Sequence, residues 1–351
     1  MVDKKPLTEY SFSFIVPVYN VERKLFEGCL NSIVSLNFAD YELIIVNDGS
    51  TLPEVEEICQ DFAAKYGNVK YFVQENQGSA VARNTGLEHA SGEYVMFVDA
   101  DDRLDENLHE EFSRLDGDFD ILCMGYEVDY PDGRKVLIMS NYAVDFSDKK
   151  DELYKGILGV PNVLKGFPMG SVVFKCFRMQ FIHENNIRFQ PQLRKTQDFA
   201  FMLEAFYAAK KILYRPILCY HNYINSQSIC HKMNFNMFEY CFKAYLALDK
   251  WSEEHSIDLA SRKYINQIFF NNAISLTYLH KDYKEGFIST AKGILEQYDR
   301  FNVGEAVKNI TFRELIPFRG SGLRVKMFIA KVFGKYVYAL SLIAYYRLLK
   351  R

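Results

Sequence analysis

Four apolar runs of strand length, separated by stretches of helical periodicity, constrain this chain more than any other feature. They are Phe12–Val18 (FSFIVPV), Leu43–Val46 (LIIV), Val69–Val73 (VKYFV) and the run opening at Tyr94 (YVMFV). Between them, Leu25–Val34, 52–66 and Gln77–Ala90 carry apolar residues three and four apart, with Gly67-Asn68 and Ser91-Gly92 as stops. Strands alternating with helices of about 10–15 residues predict βαβ units on a parallel sheet. The loops that follow such strands share the carboxyl edge of the sheet, where open α/β folds bind ligands. That edge therefore collects Pro17–Asn20, Asp48-Gly49-Ser50 and the residues just past the strand at Tyr94.

Those last residues are acidic. The stretch YVMFVDADD ends on Asp99, Asp101 and Asp102, with only Ala100 among them. Side chains two apart in extended backbone share a face, so Asp99 and Asp101 emerge together. Like charges this close cost free energy unless a cation or a donor-rich ligand neutralises them. Hard oxygens at a strand end suit Mg²⁺ or Mn²⁺ held by one or two carboxylates plus substrate phosphates. The competing reading is local: Asp101 or Asp102 caps a helix over Leu104–Leu115.

Other polar residues carry similar pairs of readings. Asp48 ends a buried strand, either as a turn or N-cap residue or as an acceptor for the N3–H of a uracil ring. Arg83 is an ordinary surface arginine, or a guanidinium turned inward beside a phosphate pocket at a helix start. Asp198, in KTQDFAFMLEAFYAAK, lies in the first turn of a helix that Thr196 can cap, where the helix dipole favours a carboxylate. The predicted apolar face of that helix is Phe199, Met202, Leu203, Phe206 and Tyr207.

The motifs PVYN (17–20), VNDGST (46–51), ENQGSAVARNTGL (75–87) and GEYVMFVDADD (92–102), in this order, resemble the inverting family 2 glycosyltransferases of GT-A fold. The likeness is close over about the first 105 residues and weaker to about residue 230. It implies that Pro17 and Tyr19 line a nucleoside pocket and that Asp48 binds the uracil. Arg83 would sit near base and diphosphate, Asp99 would face the ribose, and Asp101 would hold the divalent metal; the role of Asp102 stays open. Asp198 takes the place of the general base, although Gln197 stands where the family usually has Glu. Lys175, in SVVFKCF, is an acceptor-side or phosphate contact on the same resemblance. In YHNYINSQS (220–228) the usual Arg is missing, and His221 either replaces it or is a polar strand-end residue.

Beyond this, 135–139 pairs with 120–126 across the turn Tyr130–Arg134, and 141–170 reads as an irregular loop closing over substrate. Residues 235–252, 261–279 and 286–298 have helical spacing. From Arg319 onward, Arg and Lys interrupt an apolar, Tyr-rich segment that has no acidic residue. Such a helix lies on an anionic membrane surface, or docks on its own protein with its cations in water. The expected organisation is a GT-A domain over 1–230 with a mainly parallel sheet, a helical appendage over 231–318 and a basic amphipathic helix over 319–351.

Composition narrows the function classes. A net charge of −3 on 351 residues, 25% of them charged, argues against a nucleic-acid binder. Seven cysteines stand singly with no CxxC, which suits reduced thiols in the cytosol. No apolar h-region comes after MVDKK and no run of 18 apolar residues occurs, so neither a secretory signal nor a membrane span is expected. The expected partners are a UDP-sugar and a glycan or lipid-linked saccharide, in the cytoplasm or peripherally on the inner face of the membrane. A nucleotidyltransferase would need a Gly-rich basic loop after the first strand, where PVYNVERK has no glycine. A phosphatase of the haloacid-dehalogenase type would need Thr or Val where Asp102 stands. The non-enzymatic alternative is a nucleotide-sugar-binding scaffold that has lost catalysis.

Overall fold

The computed structural model describes residues 6–36, 38–157, 167, 169–193, 197–224, 236–256, 286–300, 334–336 and 339. Thr196, the Ser226–Ser228 end of the segment beginning at Tyr220, the predicted helix over 261–279 and nearly all of 319–351 lie outside the described residues. The chain divides into two compact units, one of Met1–Leu153 with Gly166–Asn225 and one of Tyr154–Lys165 with Ser226–Arg351.

The first unit opens with the expected alternation: β1 (Phe12–Val18), α1 (Arg23–Val34), β2 (Tyr41–Asn47), α2 (Pro53–Lys65), β3 (Val69–Val73), α3 (Ser79–His89) and β4 (Tyr94–Phe97). Pro53 pre-sets the first turn of α2, and Glu54 and Glu56 there with Lys65 in the last turn complement its dipole. β1 pairs in parallel with β2 on one side and β4 on the other, and β2 with β3. A central parallel strand is covered on both faces, which is why β1 is almost uninterruptedly apolar. Gly86 lets α3 settle on β1, since a Cβ there would collide with the Ile15 side chain.

The next elements are β5 (Arg103–Leu104), α4 (Leu108–Ser113), β6 (Ile121–Asp129), β7 (Lys135–Ile138), β8 (Val144–Asp145), α5 (Lys150–Ile157), β9 (Lys175–Arg178), α6 (Met179–Glu184), α7 (Gln197–Ala208) and β10 (Ile212–Tyr223). Together the strands form one sheet of order β3-β2-β1-β4-β9-β6-β10-β5, with β7 on β6 and β8 on β10. It is parallel from β3 to β4. β9 then enters antiparallel between β4 and β6. An antiparallel strand begins where its parallel neighbours end, so β9 brings the chain before Lys175 to the carboxyl edge.

Several expectations need correction. Asp101 and Asp102 cap no helix: Arg103 and Leu104 pair antiparallel with β10, and α4 starts only at Leu108. The stretch after 141 is not wholly irregular, because β8 pairs with β10 and α5 buries Leu153. Only the end of SVVFKCF is a strand; Phe174 at φ +51° breaks the run ahead of it. α7 buries Ala200, Phe201 and Ala205 beside Met202, Leu203 and Phe206, whereas Tyr207 is exposed. Phe201 is absent from the face predicted by spacing, yet it stacks on Phe189 at 4.3 Å and meets Phe97 edge-on, filling the space behind β4. The hairpin of β6 and β7 forms as expected, with Gly133 at φ +84° in its turn.

The second unit contains α8 (Met237–Glu254) and α9 (Phe287–Arg300). Arg300 of α9 bonds Glu239 of α8 at 2.8 Å, and the Trp251 ring meets Tyr154 edge-on. Among the described residues, no helix is long and apolar enough to cross a membrane.

Candidate active site

The loops after β1 and β2 are stitched to each other by their own side chains. Asn20, at φ +51°, accepts from the amides of Thr51 (2.7 Å) and Leu52 (3.1 Å), while its own amide donates to Ser50 Oγ. Asparagine tolerates this left-handed backbone, and its short side chain satisfies amides at the entry to α2. Sequence reasoning missed the role of Asn20, although PVYN ends on a residue type that has both properties. Pro17 sits near the end of β1 beside Val46, and Tyr19 comes two residues later, 41% exposed.

Asp48 is buried, and its carboxylate is an anchor for the loop entering α3. It accepts from Gln74 Nε2 (2.8 Å), Gln77 N (2.9 Å) and Gly78 N (2.8 Å). Gly49, at φ +70°, lets that loop close in, because a Cβ there would lie 2.8 Å from the Asn76 amide.

Arg83 is neither a surface residue nor a solitary one. It is 4% exposed, and its guanidinium bonds Asp99 Oδ1 at 2.7 Å and Asp198 Oδ1 at 3.1 Å. The carboxylate after β4 and the carboxylate opening α7, far apart in the chain, thus share one cation. Burial disfavours the charge on Arg83, but Asp198 and Asp99 outweigh it and raise its pKa further. Asp198 is held from its other side as well, Oδ2 accepting from Ser171 Oγ (3.1 Å) and Val172 N (3.3 Å). Next to it, the Gln197 amide bonds Ser79 Oγ at the start of α3, joining α7 to α3 where a Glu was expected.

The three acids after β4 divide their labour. Asp102 is fully buried and accepts from Tyr220 Oη (2.9 Å), Asn222 Nδ2 (3.1 Å) and Tyr223 N (2.8 Å). Burial, then the charges of Asp99 and Asp101, push its pKa well up. Its open role resolves into an internal one, tying the acidic loop to β10. Tyr220 also accepts from the Asp99 amide at 3.0 Å, so one hydroxyl holds both ends of the loop. Asp101 is the contrary case. Among the described residues no other residue's donor reaches its side chain, and burial followed by the charge of Asp99 pushes its pKa up to about 6.

That pattern fits a divalent cation. A desolvated carboxylate with no protein counter-charge, beside a second carboxylate, is the donor set a hard cation takes with substrate phosphates. Asp101 would be the principal ligand, Asp99 the neighbour, and Asp102 is committed elsewhere.

His221 does not reach this cluster. Alternation along β10 turns Tyr220 and Asn222 towards Asp102 and His221 away. Its Nε2 lies 2.9 Å from Asp105 and its Nδ1 3.4 Å from Glu127. Glu127, Asp129 and His221 have a spacing that admits a metal ion, but Lys135 already bonds Glu127 at 2.6 Å and pairs with Asp129 at 3.2 Å. Lys175 is fully buried too, so it is not an exposed phosphate contact.

Thus the carboxyl ends of β1, β2 and β4 carry Pro17, Tyr19, Asp48, Asp99 and Asp101, α3 and α7 carry Arg83 and Asp198, and Arg83 is bonded directly to both Asp99 and Asp198. Residues 13–180 match the family model described as glycosyl transferase family 2. This segment belongs to that family. Over 230 residues the chain is 30% identical to EpsH of Bacillus subtilis, covering 65% of this chain and 64% of that protein. It is 44% identical over 174 residues to glycosyltransferase GlyA of Streptococcus pneumoniae, 50% of this chain and 23% of that one. The chain therefore spans under two thirds of the length of either relative. The crystal structure of S. aureus TarS 1–349 in complex with UDP-GlcNAc superposes with a TM-score of 0.64 at 21% identity, covering 96% of this chain and 92% of that one. That likeness shows the fold, which is GT-A.

Proposed function

We propose that this family 2 chain transfers a hexosyl group from a UDP-sugar to a hydroxyl of a glycan or lipid-linked saccharide, with inversion, in cell-surface polysaccharide synthesis. The observation that carries the reading is the guanidinium of Arg83 joining Asp99, on the donor side, to Asp198, on the acceptor side. The UDP-GlcNAc named with the TarS structure supports a uridine diphosphate donor.

Inversion requires the acceptor hydroxyl to attack the anomeric carbon from the face opposite the leaving diphosphate, with a base to take its proton. Asp198 suits that task. A carboxylate offers about four lone-pair sites; the three donors on Asp198 fix its orientation and leave one on Oδ1 to face an incoming alcohol. Asp48 uses three of its sites internally, leaving one on Oδ2 for the N3–H of uracil. Pro17 and the exposed ring of Tyr19 would flank the base, Asp99 would face the ribose, and Arg83 would turn to the diphosphate. Mg²⁺ or Mn²⁺ at Asp101 would offset the negative charge growing on the departing UDP.

The proposed catalytic domain spans 1–230, followed by a helical appendage over 231–318 and a basic segment over 319–351 that rests on the inner face of the membrane. Two substitutions test the chemistry. Asp101→Ala and Asp198→Asn should both reduce UDP release from a donor panel by at least ~100-fold, but only Asp101→Ala should weaken metal-dependent UDP binding. A wild-type protein that binds UDP yet turns over no donor with any acceptor would favour a scaffold instead, as would an Asp198→Asn variant of unchanged turnover.

A further inference from the structure

Lys175 is the one lysine of the described sheet core that is wholly removed from water, at 0% exposure. It opens β9 opposite Cys123 of β6, and its surroundings include Cys123, Cys219 and Asp198. Burial first of all pulls its pKa down to about 8, the neighbouring thiols and carboxylate only partly restoring it. An ammonium in such a place costs several kcal/mol of desolvation, which well-packed apolar side chains would avoid. Stability therefore gives no account of why a lysine stands here.

Its contacts do. The ammonium donates to the backbone carbonyl of Ser171 and lies 4.7 Å above the Phe174 ring. Phe174 holds φ +51°, a genuine outlier for a bulky side chain. Its carbonyl accepts from the Met124 amide at 3.2 Å and its ring stacks on Tyr126 at 4.4 Å, so the strained residue is fixed from two sides. The strain folds Ser171–Phe174 back over β9 and brings the Ser171 hydroxyl and the Val172 amide onto Asp198 Oδ2.

We propose that Lys175 is a positioning residue for Asp198, drawing the Ser171 carbonyl inward so that Ser171 Oγ and Val172 N aim the carboxylate. The inference rests on Asp198 being the general base. Arg83 grips Asp198 through Oδ1 from the donor side; the Lys175–Ser171 brace grips it through Oδ2 from within the sheet. The inner brace has no contact with the donor in this arrangement, so loosening it acts on turnover and not on donor binding.

The test compares Lys175→Met, Ser171→Ala and Asp198→Asn in the full chain, by thermal melting and by UDP release against donor concentration. Lys175→Met keeps side-chain length and removes the buried charge, so its Tm should equal or exceed that of the wild type. Its kcat should nevertheless fall ~10- to 100-fold with donor KM within about two-fold, as expected for a misaimed base. Ser171→Ala, which leaves the ammonium in place, should lower kcat in the same sense at unchanged Tm. Wild-type kcat in either variant, or a loss of kcat that merely tracks a lowered Tm, overturns the proposal. So does a KM that rises in step with the loss of kcat. If Asp198→Asn loses turnover while Lys175→Met keeps it, only the positioning role fails; if Asp198→Asn turns over normally, the base assignment fails and this role with it.

Discussion

Asp101 and Asp102 are neighbours of identical chemistry with opposite employment. Sequence spacing reads Asp99 and Asp101 as alternate residues of a strand, but β4 ends at Phe97 and Asp99–Asp102 is a hydrogen-bonded turn, the Asp102 amide donating to the Asp99 carbonyl at 3.0 Å. Spacing is silent on Asp102, because the groups that bond this residue, Tyr220, Asn222 and Tyr223, lie about 120 residues away. The same limit applies to Arg83, whose partners are brought to it by two different elements. Tyr220 is the residue whose importance only the folded chain reveals. Tyr220→Phe removes a hydroxyl that donates to Asp102 and accepts from the Asp99 amide, taking one of the donors from Asp102 and the acceptor from the Asp99 amide at a cost of about 1–3 kcal/mol. The expected outcome is a lowered Tm together with several-fold weaker metal-dependent UDP binding, read by calorimetry. A variant that binds UDP as the wild type does would show that the hydroxyl does not shape the acidic loop.

At the end of the sheet opposite the candidate site, three strands and a turn are clasped by one carboxylate. At the amino edge of the sheet, Glu42 of β2 accepts from Ser13 Oγ of β1 (2.7 Å) and from the amide (2.6 Å) and hydroxyl (3.0 Å) of Ser91, and pairs with Lys70 of β3. Burial alone would raise the Glu42 pKa; Lys70, then Ser13 and Ser91, overcome it and hold the carboxyl below its ordinary 4.5. The unfolded chain then takes up this proton at a higher pH than the folded one. The stabilisation is therefore complete above about pH 4.5 and is lost as pH falls through the folded-state value. Denaturant titrations should show Glu42→Gln less stable than wild type at pH 7, with the gap narrowing towards pH 4. An equal gap at both pH values would contradict a charged clasp. Strand and helix boundaries up to β4 keep closely to periodicity, because each βα unit meets its neighbour in chain order. Beyond β4 the reading loosens: β9 enters between β4 and β6, and the strain at Phe174 has no local signature.

At the scale of the whole molecule, the unit that carries the sheet and the unit that holds α8 and α9 differ in kind. Residues 319–351 carry the proposal of membrane contact through composition alone, with Arg and Lys set among Tyr, Leu and Ile. Flotation with vesicles of anionic lipid at low salt should carry the full chain upward. Raising the salt, or replacing Arg347, Lys350 and Arg351 by Gln, should release part of it, since screening weakens such attraction. A chain that stays wholly at the bottom of the gradient at low salt would refute the contact.

Amino-acid order alone determined the alternation of strands and helices, the carboxyl edge of the sheet to which their loops lead, and which acids stand on it, because these depend on periodicity and on residues close in the chain. Tertiary structure alone decided the partners of those acids: Arg83 between Asp99 and Asp198, Tyr220 beneath the acidic loop, Lys175 behind Ser171. Hydrogen bonds and charges act over a few ångströms of space and take no account of how many residues separate the groups they join.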